Sequence, residues 1–438
     1  MTFTGPMQAL FSDLPVIEPR RSSGQAVIIA LGGEQRSTLC VLRDGRAELL
    51  GEFGNLRDPN SFRLFNEAVN GQICAAAGRP VIIAHDLHPA YLSTQLAGRL
   101  AARRCAVQHH HAHVAAVLAE HQCDKRVVGL ACDGSGLGND GAVWGCEVLA
   151  CHRDRWWRVG HLEYVPLVGG DAAALETWRP AAALLRAAEG PAWRQRFPAF
   201  VPDANHDRDN GRRLWPAAPM PHPSEVGPPG AGARSCPDRA ALDLFERVVS
   251  MGVNAPLTSS LGRVFDGAAY LLGLCALNRV QAEAAIALES AADAHPGAVD
   301  PLPCELRSRD GKLLMRVAPA MVALSAGRRR GEPVGLLAAR LHETLARLLS
   351  DAAVAACRDV GANVVALSGG CFANRRLRER TAALLESAGL RVLLPRLAST
   401  GDAGLALGQA YVTWWRVQRS AKRRREVVHV SGGAGSHS

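Results

Sequence analysis

Short apolar runs that stop at a glycine or an acid recur along this 438-residue chain, and they restrict the fold more than any other feature. Val27-Ile28-Ile29-Ala30-Leu31 ends at Gly32-Gly33, and Pro80-Val81-Ile82-Ile83-Ala84 runs into His85-Asp86. Residues 127–131 stop before Asp133-Gly134, and Val364-Val365-Ala366-Leu367 meets Ser368-Gly369-Gly370. Runs this short, bounded by turn residues, read as buried strands. Thr38-Leu39-Cys40-Val41-Leu42 followed by Arg43-Asp44-Gly45 adds a strand and a turn, and residues 390–394 add a strand before a loop at 398–404. Leu337, Leu341, Leu345 and Leu348 mark one face of a long helix that breaks at Gly361. Strands alternating with helices predict α/β layers, which gather ligands at the carboxyl ends of their strands.

Composition narrows the class. With 48% hydrophobic and 21% charged residues, the chain is neither disordered nor a disulfide-stapled miniature. Twelve cysteines without a C-x-x-C pair argue against a zinc ribbon and a disulfide framework. No stretch of eighteen apolar residues occurs, so a cytoplasmic protein with no membrane partner is expected. The net charge of +9 suggests nucleic acid until the charges are located. Arg416, Arg419, Lys422, Arg423, Arg424 and Arg425 carry most of the excess, so residues 415–438 read as a basic, disordered tail and nucleic acid is not an expected partner. Residues 1–26 lack apolar periodicity and read as a leading segment. Seven prolines from Pro216 to Pro237, with Gly227, Gly230 and Gly232, mark an insertion at about 200–237.

The strongest chemical signal is Gln108-His109-His110-His111-Ala112-His113. On a helix His109 and His113 share a face one turn apart, the spacing with which two imidazoles bind one metal ion, while His110 and His111 point elsewhere. The alternative is a polar helix start with surface histidines. A metal needs further donors from distant sequence. Asp133, where a buried strand meets Gly134-Ser135-Gly136, and Asp402, in Thr400-Gly401-Asp402-Ala403-Gly404, have the right character. Either alone reads equally as a turn former. Two imidazoles with two carboxylates suit iron, zinc or manganese. Gly169-Gly170-Asp171 and Ser368-Gly369-Gly370 let backbone N–H groups approach an anionic ligand closely, although neither matches a standard nucleotide fingerprint.

Longer motifs carry a family resemblance. Asp86-Leu87-His88-Pro89, Tyr91-Leu92-Ser93-Thr94, the histidine run, Asp133-Gly134-Ser135-Gly136 with Trp144-Gly145, and Gly169-Gly170-Asp171 with Trp178-Arg179 resemble the HypF carbamoyltransferases. So do Thr258-Ser259-Ser260-Leu261-Gly262-Arg263-Val264-Phe265-Asp266 and residues 368–374 and 402–409. The resemblance implies an actin-like (ASKHA) α/β fold of two RNase H-like subdomains, 27–126 and 127–414, with a nucleotide and metal cleft between them and a last helix packing back on the first. The related tRNA threonylcarbamoyl-transferases and O-carbamoyltransferases share that fold.

The same resemblance implies a reaction in [NiFe]-hydrogenase maturation, the passage of carbamoyl from carbamoyl-adenylate, an ATP-derived nucleotide, to the C-terminal cysteine thiol of HypE. By motif, His109, His113, Asp133 and Asp402 would bind a divalent metal, iron or zinc. Gly369, Gly370 and Asn374 would contact adenosine, Gly262 and Asp266 would lie near the ribose, and Gly169, Gly170 and Asp171 would line the cleft. No internal nucleophile is implied, since the thiol belongs to the partner. Full-length members carry further modules ahead of this region, so a separate HypF-like protein is expected to make carbamoyl-adenylate. Arg36, a candidate substrate contact, stands where the family has lysine, and Gly401 and Ala403 flank Asp402 where it usually has Asn and Gly. Two other readings keep the fold: an O-carbamoyltransferase acting on a small-molecule hydroxyl, and a non-catalytic maturation scaffold.

Overall fold

The computed structural model describes residues 26–197 and 236–432, with side chains as far as residue 421. The leading segment and nearly all of the proline-rich insertion lie outside the described residues. The remainder is a mixed α/β structure built on two sheets. The first joins β1 (Val27–Ala30), β2 (Ser37–Arg43), β3 (Arg46–Gly54), β4 (Val81–Asp86) and β5 (Arg103–Val107) in the order β3-β2-β1-β4-β5. Asp44 and Gly45, at φ 51° and 79°, make the expected two-residue turn between β2 and β3. Alternation along β1 explains its continuous apolar sequence. Ile28 and Ala30 face one core and Val27 and Ile29 the other, so both faces are covered.

The second sheet joins β6 (Val127–Leu137), β7 (Val143–His152), β8 (Arg155–Leu162), β9 (Val165–Pro166), β10 (Leu257–Thr258), β11 (Glu305–Arg309), β12 (Lys312–Arg316), β13 (Val364–Ser368) and β14 (Arg391–Leu393). Its main path is β11-β12-β8-β7-β6-β13-β14, with β10 pairing β7 and β9. Strand β6 does not stop at Asp133 as the sequence suggests but continues to Leu137. Its pairing with β7 is irregular between Cys132 and Gly136, and such a bulge re-aims a side chain without ending the strand.

The helix His109–Glu120 has every residue buried and packs with Leu405–Gly432. The two approach closely because position 408 is glycine: a Cβ there would collide with the Ala112 carbonyl oxygen. Gln409 then pins the last helix to the end of β1, its Oε1 accepting from Gly32 N at 2.9 Å and its Nε2 donating to Gly32 O at 3.0 Å. The expected basic tail is helical as far as Gly432. The helix begins ahead of the charges, and its buried face at Ala410, Tyr411 and Trp414 continues into the tail as Trp415 and Val417, which pack against the same core. Arg416 Nη1 donates to Ala106 O at 2.7 Å and Arg419 pairs with Asp154 at 2.7 Å, so part of the charge run is anchored to the fold. The leucine face at 337, 341, 345 and 348 is buried in the helix Val334–Val360, which ends at Gly361 with φ 67°.

Candidate metal centre

His109 and His113 lie one turn apart at the start of their helix, which Gln108 caps by accepting from His111 N at 2.9 Å. Their Nε2 atoms stand 3.2 and 3.3 Å from Asp133 Oδ2. They stand 3.7 and 3.6 Å from Asp402 Oδ1. One donor atom from each of the four residues lies within 4.8 Å of the others, a spacing that one cation can bridge. Neighbours fix each donor. Asp86, the last residue of β4, sits 2.8 Å from His109 Nδ1 and thereby leaves Nε2 for the centre. Glu120, at the far end of the same helix, accepts from Arg396 N at 2.7 Å, from Leu397 N at 3.1 Å and from Ala398 N, which holds the loop leading to Asp402. Thr38 Oγ1 donates to Ala403 O at 2.9 Å and secures that turn to the first sheet.

The electrostatics suit a cation. Burial alone would lower the His109 pKa, yet the Asp86 charge and the hydrogen bonds to Asp133 and Asp86 raise it well above the imidazole range. Burial would raise Asp133, but hydrogen bonds from His109 and His113 hold it well below the usual carboxylate range. The acids thus stabilise positive charge at the centre, and a divalent ion would displace the imidazole protons that otherwise supply it. The donor set of two imidazoles and two carboxylates fits iron or zinc. The surface-histidine alternative does not survive, since all four histidines of the run are buried. His110 and His111 do point elsewhere, their rings 5.8 Å from Trp144 and 5.9 Å from Trp156.

Several of the glycines surround Asp133. Gly370 N donates to Asp133 Oδ1 at 3.1 Å. Gly369 has φ 100°, and a Cβ on it would collide with the Cys132 backbone. Gly262 opens the helix Leu261–Leu272, where a Cβ would lie 3.1 Å from Gly134 Cα. Gly169 and Gly170 form a left-handed turn at φ 88° and 57°, and the charge of exposed Asp171 beside them reaches His88 on the first-sheet side.

The remaining expected contacts are committed within the chain. Asp266 is buried against Arg263 at 2.6 Å and accepts from Asn278 Nδ2 at 2.9 Å, and burial pushes its carboxyl pKa up. Asn374 Oδ1 accepts from Leu377 N at 2.8 Å as the cap of the helix Arg375–Ser387, while its Nδ2 donates to His342 Nε2 at 3.0 Å. Arg36 pairs with Glu52 at 2.7 Å on the half-exposed rim of the first sheet. Reasoning from sequence assigned no role to Asp86 or Glu120. An acid at the carboxyl end of an apolar strand is the signal that could have drawn attention to Asp86, whereas nothing local marks Glu120.

Comparison with known proteins decides the family. The family described as "HypF Kae1-like domain" matches residues 23–120, and that described as "Carbamoyltransferase, Kae1-like Domain, second subdomain" matches residues 129–409. A relative in Cupriavidus necator named carbamoyltransferase HypF homolog is 38% identical, over 89% of this chain and 92% of that protein. The chain belongs to the HypF carbamoyltransferase family. Carbamoyltransferase HypF of Rhodobacter capsulatus is 36% identical over 88% of this chain and 46% of its own length, so the chain spans about half of that relative. The crystal structure of full-length HypF in the phosphate- and nucleotide-bound form superposes with a TM-score of 0.76 at 28% identity, covering 91% of this chain and 56% of that HypF chain. Among the described residues no helix is long and apolar enough to cross a membrane.

Proposed function

We propose that this HypF-family chain has the actin-like (ASKHA) fold and passes carbamoyl from carbamoyl-adenylate to the C-terminal cysteine thiol of a HypE-like protein during [NiFe]-hydrogenase maturation. In this proposal a separate HypF-like protein is the source of carbamoyl-adenylate. The observation that carries the reading is the convergence of His109, His113, Asp133 and Asp402 beside the Gly369-Gly370 turn. These four residues would hold a divalent ion, iron or zinc, which would supply positive charge to a phosphate oxygen. Bound phosphate and nucleotide in the related full-length HypF structure favour the same use of the cleft.

The chain's own groups orient the substrate. Gly369 N is spent on Thr400 O and Gly370 N on Asp133 Oδ1, so the first turn of Leu261–Leu272, packed beside Gly134, is what presents backbone donors to an anion. The partner's thiol releases its proton to solvent, its sulfur bonds to the carbamoyl carbon, and the bond from that carbon to the phosphate oxygen breaks so that AMP leaves with the electron pair. Cys371, beside Gly370, is unsuited to act as nucleophile because burial and the Asp133 charge push its pKa well up. The test combines the purified chain, carbamoyl-adenylate and a peptide ending in the partner's C-terminal cysteine. The expected product is a peptide heavier by one carbamoyl group, detected by mass spectrometry. Hydrolysis to AMP without transfer sinks the proposal, and transfer to a small-molecule hydroxyl would make the chain an O-carbamoyltransferase instead.

A further inference from the structure

His88 and Tyr91 belong to the segment that follows β4, and nothing above gives them work. Asp86 fixes that segment beside the metal centre: one carboxylate oxygen sits 2.8 Å from His109 Nδ1 and the other accepts from His88 N at 2.9 Å. A single side chain therefore separates the His88 backbone from a candidate metal ligand. The segment is held further along as well, since Leu92 N donates to Glu34 Oε2 at 2.8 Å and Thr94 Oγ1 donates to Asp86 O at 3.2 Å. On this rigid turn the His88 and Tyr91 rings stack with centroids 4.3 Å apart and planes 11° from parallel.

Hydrogen bonding sets what the two rings offer. Ala90 N donates to His88 Nδ1 at 3.3 Å, and a nitrogen that accepts carries no proton, so the neutral ring bears its proton on Nε2. Burial lowers the His88 pKa, which keeps the ring neutral near pH 7. Burial and the charges of Asp86, Asp402 and Asp133 push the Tyr91 pKa well up, so its hydroxyl stays protonated and able to donate. Asp171, next to the Gly169-Gly170 turn, is among the charges that act on His88.

We propose that the Tyr91 hydroxyl and the His88 Nε2–H form an oxyanion site for the carbonyl oxygen of the group being transferred. The proposal rests on the carbamoyl-transfer reading above. As the thiolate sulfur bonds to the carbamoyl carbon, the carbonyl electron pair moves onto oxygen, where the two donors meet the developing charge. The pair then returns as the bond to phosphate breaks and AMP departs, and neither residue gives up its proton. Preorganised neutral donors of this kind act most strongly on charge that appears only in the transition state.

The test uses the full chain with Tyr91→Phe, His88→Ala and His88→Gln, and follows the kcat and KM of thiocarboxamide formation alongside metal content and melting temperature. Tyr91→Phe and His88→Ala are each expected to lower kcat on the order of 100-fold with KM for carbamoyl-adenylate within about twofold of wild type. His88→Gln restores an N–H donor and should recover about tenfold over His88→Ala at unchanged metal content and melting temperature. A kcat within about twofold of wild type in both deletions overturns the proposal, as does a loss that merely tracks metal content or KM. An inactive wild-type chain would overturn the transfer reading itself, and this proposal with it.

Discussion

The metal centre and the glycine-lined side of the cleft use side chains in opposite ways. At the centre, Asp86 holds the rear nitrogen of His109 and Gly370 N the second oxygen of Asp133, while one atom from each of the four residues lies near the others. On the glycine side, Asn374 and Asp266 spend their polar atoms on Leu377, His342, Arg263 and Asn278. Gly369 N and Gly370 N are likewise spent, on Thr400 O and Asp133 Oδ1, which leaves the first turn of Leu261–Leu272 to meet an anion there. The first region gathers four donor atoms within reach of one another, whereas the second is a scaffold whose side chains shape a turn.

That contrast is breakable, beginning with the scaffold. Gly369→Ala is expected to lose roughly 3–5 kcal/mol of stability by thermal or denaturant unfolding, because its Cβ would meet the Cys132 backbone at an unfavourable φ. A loss under about 1 kcal/mol would show that the turn has room for a side chain. Asp86→Asn should weaken iron or zinc binding by about 10–100-fold in calorimetric titration while the protein stays folded, since the amide loses the charge and has one acceptor for the two hydrogen bonds, from His109 and His88 N, that the carboxylate serves. Unchanged affinity would mean that His109 is oriented by packing alone.

Smaller effects sharpen the distinction. Asn374→Ala should lower stability by about 1–2 kcal/mol through the lost helix cap, and the scaffold view expects Asn374→Asp, which still caps, to retain most of the AMP affinity measured by titration. If Asn374→Asp loses affinity as fully as Asn374→Ala does, the amide reads the nucleotide directly. Arg36→Ala should change stability by no more than about 0.5 kcal/mol, as befits a half-exposed pair with Glu52. A large rise in KM for carbamoyl-adenylate in that variant would bring Arg36 into the substrate site after all.

How much of this could be read from the chain follows the distance over which each feature is encoded. The strands at Val27, Val81, Val127 and Val364 announce themselves because burial on both faces demands continuous apolar residues. The spacing of His109 and His113 is equally local. Asp133 and Asp402 could be suspected one at a time, but their meeting depends on a bulge in β6 and on Glu120 holding a loop far away in sequence. Asp86 is hidden for the same reason. Asn374 is a different kind of miss: an asparagine immediately before a helical run is a capping signal in plain view. The helical stretch beyond residue 414 went unread because its arginines outweigh an apolar stripe that only the neighbouring helix reveals.

The order in which donors appear along the chain has a consequence for biogenesis. His109, His113 and Asp133 leave the ribosome early, whereas Asp402 and the Gln409 clasp on Gly32 emerge only after the whole second sheet has been made. A growing polypeptide therefore carries three weakly organised donors for most of its synthesis and gains the fourth near the end. An ion held by all four donors would thus be captured late, once the loop carrying Asp402 has been made.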